Sequence, residues 1–323
     1  MLLIVAGQSI THGGFSEILL TFNGMTAITL TQGARIGVDI FILLSGYFSV
    51  KKAVANRKIK KLYLQIWTYS VLVTGSLMLL RTILVEVKTV VSMLLQISTS
   101  QYWFATGYML LILMSPCLQA CTEKLSKKQF QCTLITFGIL WSVILTLLIG
   151  TPGYSNLGWP AYVYLLGAYV QIYESPICRK IRVWHGVVCL ISVCILSIAT
   201  YCVGYSSMFF RSNVVYLFSE MNKLPTIICA VLLFLGFRNW KRKQSVFINT
   251  IATWMFGVYL LHDNPQVRTF LWKTLLRNKE YITEISFTIY ILASIILVFI
   301  TGIIIEWLRQ YIEKNISFLL GRK

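Results

Sequence analysis

The chain has 323 residues, of which 57% are hydrophobic and only 12% charged, against roughly 25% charged in an ordinary soluble domain. That excludes a water-soluble fold, which has too little polar surface to cover so much apolar material, and it points to a polytopic protein with lipid as its outer solvent. The net charge of +18 does not signal nucleic acid, because the cations fall in short runs between apolar segments rather than along one surface.

Apolar runs bounded by polar or turn residues predict about ten helices, at 1–10, 34–50, 62–85, 102–120, 131–150, 159–174, 184–203, 222–237, 246–262 and 283–307. All but the first approach the length needed to cross a hydrocarbon core of about 30 Å. The expectation is an all-α polytopic membrane bundle forming a single domain over 1–323, with the bilayer itself as the first partner. The run "MLLIVAGQSI" supplies roughly 15 Å of helix, half a bilayer, so the chain reads as beginning within its first membrane helix.

Charge orients the bundle. With the first helix running outward, the inner loops 51–61, 121–130, 175–183, 237–245 and 307–323 hold 20 of the 29 Lys and Arg residues. Four of the others lie together in the outer segment 263–280. This orientation places His12 and His262 on the outer side. The eight cysteines show no CxxC pair and no Cys/His ligand spacing, so neither a metal site nor a disulfide framework is expected.

Four stretches near the outer face carry chemistry. "THGGF" puts His12 just past the first helix, and "RIGVDIFILLSGYF" puts Asp39 about one turn inside the second. "QYWFATGY" sets Tyr102 and Trp103 at the outer start of the fourth helix, and "LLHDNP" sets His262 and Asp263 at the outer end of the ninth. Imidazole suits proton transfer near neutral pH, and an intramembrane carboxylate is costly enough to suggest function. Plainer readings stand beside these. Arg35 lies four residues before Asp39 and pairs with it on one helix face; the histidines cap helix ends; Asp263 and Asn264 before Pro265 form a turn. At the inner end, Ser45 and Gly46 allow close approach of a backbone or ligand. Tyr47 with Arg57, Lys58, Lys60 and Lys61 either receives a phosphorylated cofactor or anchors the helix.

These stretches carry a resemblance. "HGGF", "GVDIFILLSGYF", "RKIKKLYLQIW", "YWFATGYMLLILMSP", "YLLGAYVQIY" and "FGVYLLHDNP" recur in the order found in the integral-membrane acyltransferase 3 family, which the chain resembles along almost its whole length. The resemblance implies transfer of an acyl group, most often acetyl, from a cytoplasmic acyl-CoA to a hydroxyl of an extracytoplasmic sugar or cell-envelope polysaccharide. It implies a multi-pass protein of the bacterial cytoplasmic membrane, with acetyl-CoA or another acyl-CoA as donor substrate and no bound cofactor. His12, His262, Asp39 and Asp263 become candidates for catalysis; Tyr102, Trp103, Asn264 and Arg35 for the acceptor; Tyr47, Arg57, Lys58 and Lys61 for CoA. Gln8 falls where relatives carry a histidine, and the arginine that accompanies it would precede Met1.

Two other functions remain open at this stage. One is a degenerate family member acting as a binding or assembly partner, which Gln8 favours. The other is a transporter or flippase, for which the sequence offers neither a charge pair at mid-membrane nor an inverted repeat.

Overall fold

The computed structural model describes residues 1–15, 20–50, 56–147, 157–204, 220–240 and 245–319; the basic residues expected at 51–55, 241–244 and 320–323 fall outside these. The described residues are all-α. In chain order they form α1 (Leu2–Thr11), α2 (Phe22–Ser49), α3 (Asn56–Leu79), α4 (Val87–Leu94), α5 (Trp103–Lys124), α6 (Lys127–Leu147), α7 (Gly158–Ile172), α8 (Pro176–Lys180), α9 (Val183–Gly204), α10 (Leu224–Arg238), α11 (Val246–His262), α12 (Pro265–Thr269) and α13 (Phe287–Leu319).

Among the described residues, six helices are long and apolar enough to cross a membrane: α2, α3, α5, α6, α9 and α13. The expected ten apolar elements are all present, but α7 and α10, of 15 residues each, rise only about 22 Å. The largest correction concerns α2. Thr21 caps it, its hydroxyl accepting from the Gly24 N–H at 3.2 Å, and the helix runs for 28 residues. Asp39 therefore lies well inside α2, not one turn from its end.

Backbone contacts divide the chain into two compact units, residues 17–62 with 107–241, and residues 1–16 with 63–106 and 242–323. In the first unit α2 packs on α7 at backbone distance. A Cβ on Gly46 would strike the Tyr164 carbonyl, and one on Gly167 the Leu43 carbonyl. Gly46 thus meets a backbone, one of the two alternatives its sequence allowed. Arg35 does not pair with Asp39. It reaches Glu220 at 3.3 Å, and one turn earlier Gln32 donates to Thr226 Oγ1 at 3.3 Å.

The second unit is organised by a carboxylate that the sequence reading passed over. Glu306 on α13 is fully buried. Arg309 grips it with two bonds of 2.7 and 2.8 Å, Tyr69 donates at 2.6 Å, Gln310 at 2.8 Å and Gln65 at 3.2 Å. Gly257 of α11 lies so close that any Cβ there would overlap this carboxylate, and the Val258 side chain stands 3.0 Å from where Gly302 would carry one. Hydrogen bonds to one buried carboxylate therefore tie α3 to α13, and that carboxylate fixes the level at which α11 passes. Replacing Glu306 with Leu leaves Tyr69 and Gln65 without their acceptor and Arg309 with Glu313 as its remaining carboxylate, and the expected loss is about 1–3 kcal/mol of stability. Thermal unfolding in detergent should show a clear fall in midpoint.

Candidate active site

The stretch "LLHDNP" ends one helix and begins another. His262 closes α11, the Asp263 N–H still reaches the Tyr259 carbonyl at 3.0 Å, and Asn264 caps α12 by accepting from the Gln266 N–H at 3.0 Å. Pro265 fills the first turn of α12, where no N–H is needed. The plain turn reading of these residues is therefore correct as local structure. It also aims side chains. The Asn264 amide donates to the Tyr102 hydroxyl at 2.7 Å and to Thr74 at 3.4 Å, joining the turn to α3 and to the start of α5. Tyr102 is fully buried, so its ring is not open to stack on a sugar, and its hydroxyl points to the turn. Trp103 is half-buried, edge-on to Phe104, which in turn meets the Tyr259 ring at 5.3 Å.

Two imidazoles flank the turn in different states. Nδ1 of the buried His262 lies 2.6 Å from the Val258 carbonyl, which can only accept. The hydrogen of the neutral ring therefore sits on Nδ1, and Nε2 carries an unpaired lone pair. His12 lies just past α1 and is partly exposed; its Nε2 stands 3.8 Å from Oδ1 of the buried Asp263. Asp263 Oδ2 accepts from the Tyr259 hydroxyl at 2.7 Å, and Arg268 Nη1 stands 3.8 Å from Oδ1.

Burial raises the Asp263 carboxyl from its ordinary range to about 6, although Tyr259 and Arg268 oppose the rise. Burial also lowers His12 to about 4, helped by the positive fields of Arg268, His262 and Lys273. At neutral pH the contact is thus a neutral imidazole beside a carboxylate, not an ion pair. Such a base can take a proton at Nδ1 while the carboxylate steadies the cation that forms.

The remaining candidates divide between the units. Gln8 precedes His12 by one turn of α1, and its buried Oε1 has no hydrogen-bond partner among the described residues. The adjacent Ser9 carbonyl accepts from Asn278 at 3.1 Å, which anchors this end of α1. In the other unit Asp39 is fully buried; the side chain acting on it is Trp159, whose indole N–H is directed to the Met221 carbonyl at 3.1 Å. Tyr47 stands edge-on to Phe234 at 5.3 Å, while Arg57, Lys58 and Lys61 are exposed on the first turns of α3. Among the described residues no group of three or more His, Cys, Asp or Glu side chains is placed to hold a metal ion.

Sequence reasoning missed Arg268, Lys273, Tyr259 and Thr74. For the two cations the signal was present, as basic residues in the segment that the charge count assigned to the outer side.

The chain matches the family described as an acyltransferase domain over residues 1–307. No curated protein and no solved structure matches it. With that match spanning nearly all of an all-α, multi-pass membrane fold, the chain belongs to the acyltransferase 3 family of membrane acyltransferases.

Proposed function

We propose that the chain O-acylates a hydroxyl of an extracytoplasmic sugar or cell-envelope polysaccharide, drawing acetyl or another acyl group from a cytoplasmic acyl-CoA. The observation that carries this reading is the facing pair of His12 Nε2 and Asp263 Oδ1 at 3.8 Å, beside a second imidazole whose Nε2 is unpaired. His12 Nδ1 takes the proton of the acceptor hydroxyl, and the freed oxygen bonds to the acyl carbonyl carbon. The carbon–sulfur bond then breaks, and CoA leaves as the thiol carrying that proton. The His262 lone pair accepts from a second acceptor hydroxyl and so orients the sugar. The Tyr102 hydroxyl, its oxygen already loaded by Asn264, donates to the oxygen on which charge develops. Arg57, Lys58 and Lys61 meet the phosphates of CoA, with Tyr47 beside them.

The membrane in question is the bacterial cytoplasmic membrane. Asp39 and Arg35 enter this reading through α2, as supports of the bundle that holds the acceptor. Gln8 favours a second reading, a catalytically silent family member that serves as a binding or assembly partner.

O-acetyl content of surface polysaccharide, in cells expressing the chain against an empty vector, separates the two. Acetyl above the vector supports transfer. Under that reading His12→Asn lowers transfer by about 10²–10⁴-fold, while His262→Asn mainly raises KM for the acceptor. No acetyl from the chain, but acetyl from Gln8→His, identifies a sound scaffold silenced at one residue.

The Asp263 carboxyl also sets a pH dependence. Below about 6 it is protonated and no longer steadies a cationic His12. Rates of CoA thiol release by the purified protein should climb between pH 5 and 7 with an inflection near 6. The inflection should vanish in Asp263→Asn, leaving a low, flat profile.

A further inference from the structure

Residues 263–280 hold four cations, Arg268, Lys273, Arg277 and Lys279, and two of them, Arg268 and Lys273, act on His12. Arg268 reaches Asp263 at 3.8 Å, too far for a hydrogen bond, and shares that one oxygen with His12. Lys273 is exposed and lays its aliphatic stem across Gly14, whose backbone holds φ +83. That conformation, which L side chains rarely adopt, lets the "HGG" turn pass against the lysine stem with no Cβ on Gly14. Among the described residues the Lys273 ammonium meets no carboxylate. Arg277, by contrast, turns back to the Thr274 carbonyl at 3.3 Å. The buried Asp263 carboxylate therefore faces one cation and one neutral imidazole, and a second cation, Lys273, acts on that imidazole. Among the described residues the indole N–H of the buried Trp272, next to Lys273 in sequence, has no hydrogen-bond partner.

We propose that Arg268 and Lys273 form an anion subsite, and that the acceptor is an acidic sugar whose carboxylate or phosphate docks there while its hydroxyl faces His12. The proposal rests on the acyl-transfer reading and names its substrate class. A guanidinium with only one distant partner and an ammonium with none have donors to spare, and charge-assisted bonds to an anion exceed neutral ones by about twofold in strength. The arrangement has a second effect. Burial holds His12 down first, and Arg268 and Lys273 add to it, so an anion placed between them offsets their part and raises His12 somewhat. An anionic acceptor thus favours its own base more than a neutral sugar does.

The test uses the full chain in nanodiscs of phosphatidylcholine, with methyl glucuronoside, methyl glucoside and inorganic phosphate as probes, read by calorimetric titration. The expected result is glucuronoside binding at least about ten-fold tighter than glucoside, with phosphate competing. In R268Q/K273Q the preference should shrink to about two-fold or less, and in the control R277Q/K279Q it should persist. Should the double variant fail to fold, Lys273→Gln alone should give an intermediate preference. Equal binding of the two sugars, binding of neither, or a preference that survives in R268Q/K273Q overturns the proposal. A preference abolished by adding phosphatidylglycerol to the discs assigns the cations to lipid headgroups and also overturns it. Binding requires no acyl donor. Anion recognition without transfer therefore leaves the subsite standing and sinks only the catalytic reading, and transfer without anion preference does the reverse.

Discussion

The second unit depends on a charge that ought not to be where it is. Glu306 sits without solvent in a lipid-embedded helix, where an ionised carboxylate survives only if every lone pair is occupied. Arg309 supplies the countercharge from one turn away, and the hydroxyl of Tyr69 and the amides of Gln65 and Gln310 close the shell. Because the arginine comes from the same helix, α13 carries its own neutralisation and α3 contributes only dipoles. The clasp leaves no room for a side chain on Gly257. That contact settles the height of α11, and five residues further on α11 delivers His262 and Asp263 to the turn. The placement of the turn is thus inherited from an electrostatic clasp five residues before the end of α11.

At the turn itself, local and tertiary demands coincide. Asn264 caps α12 with its oxygen and grips Tyr102 and Thr74 with its nitrogen, so one side chain satisfies the helix end and locates two neighbouring helices. Asp263 is likewise divided, one oxygen held by Tyr259 and the other facing His12 and Arg268. Both residues have turn chemistry sufficient to explain them, yet turn chemistry does not require buried partners. Those partners distinguish a site from a cap.

Much of this was legible in the sequence because hydrophobic runs report burial in lipid directly. The class, the ten apolar elements and the family could be read from pattern and motif order. The start of α2 could not: residues 22–33, "FNGMTAITLTQG", mix Thr, Asn, Gln and Gly with apolar residues and fall below a hydropathy threshold. What makes them helical is packing within the bundle and the Thr21 cap. Arg35 was assigned to Asp39 because that spacing suits a helix face, whereas the structure offers Glu220, a partner that no local rule reaches. Glu306 failed for a related reason. Its donors Gln65 and Tyr69 lie more than 230 residues away in sequence, and near a helix end a Glu followed by Arg looks like ordinary surface charge.

The polar face of α2 has a consequence for how the protein is made. Gln32, Arg35 and Asp39 lie on a helix that leaves the ribosome early, while Thr226, which pairs with Gln32, follows 194 residues later. At about 5–20 residues per second, that interval lasts on the order of ten to forty seconds. Over that interval the contacts of this face arrive in turn, Trp159 near Asp39 first, then Glu220 at Arg35 and last Thr226 at Gln32. The Gly46 and Gly167 contacts offer an earlier hold, since α7 emerges well before α10 and binds α2 through backbone rather than through charge. Biogenesis then proceeds from a backbone zipper to an ionic lock, and the delay between the two is set by the length of chain that separates α7 from α10.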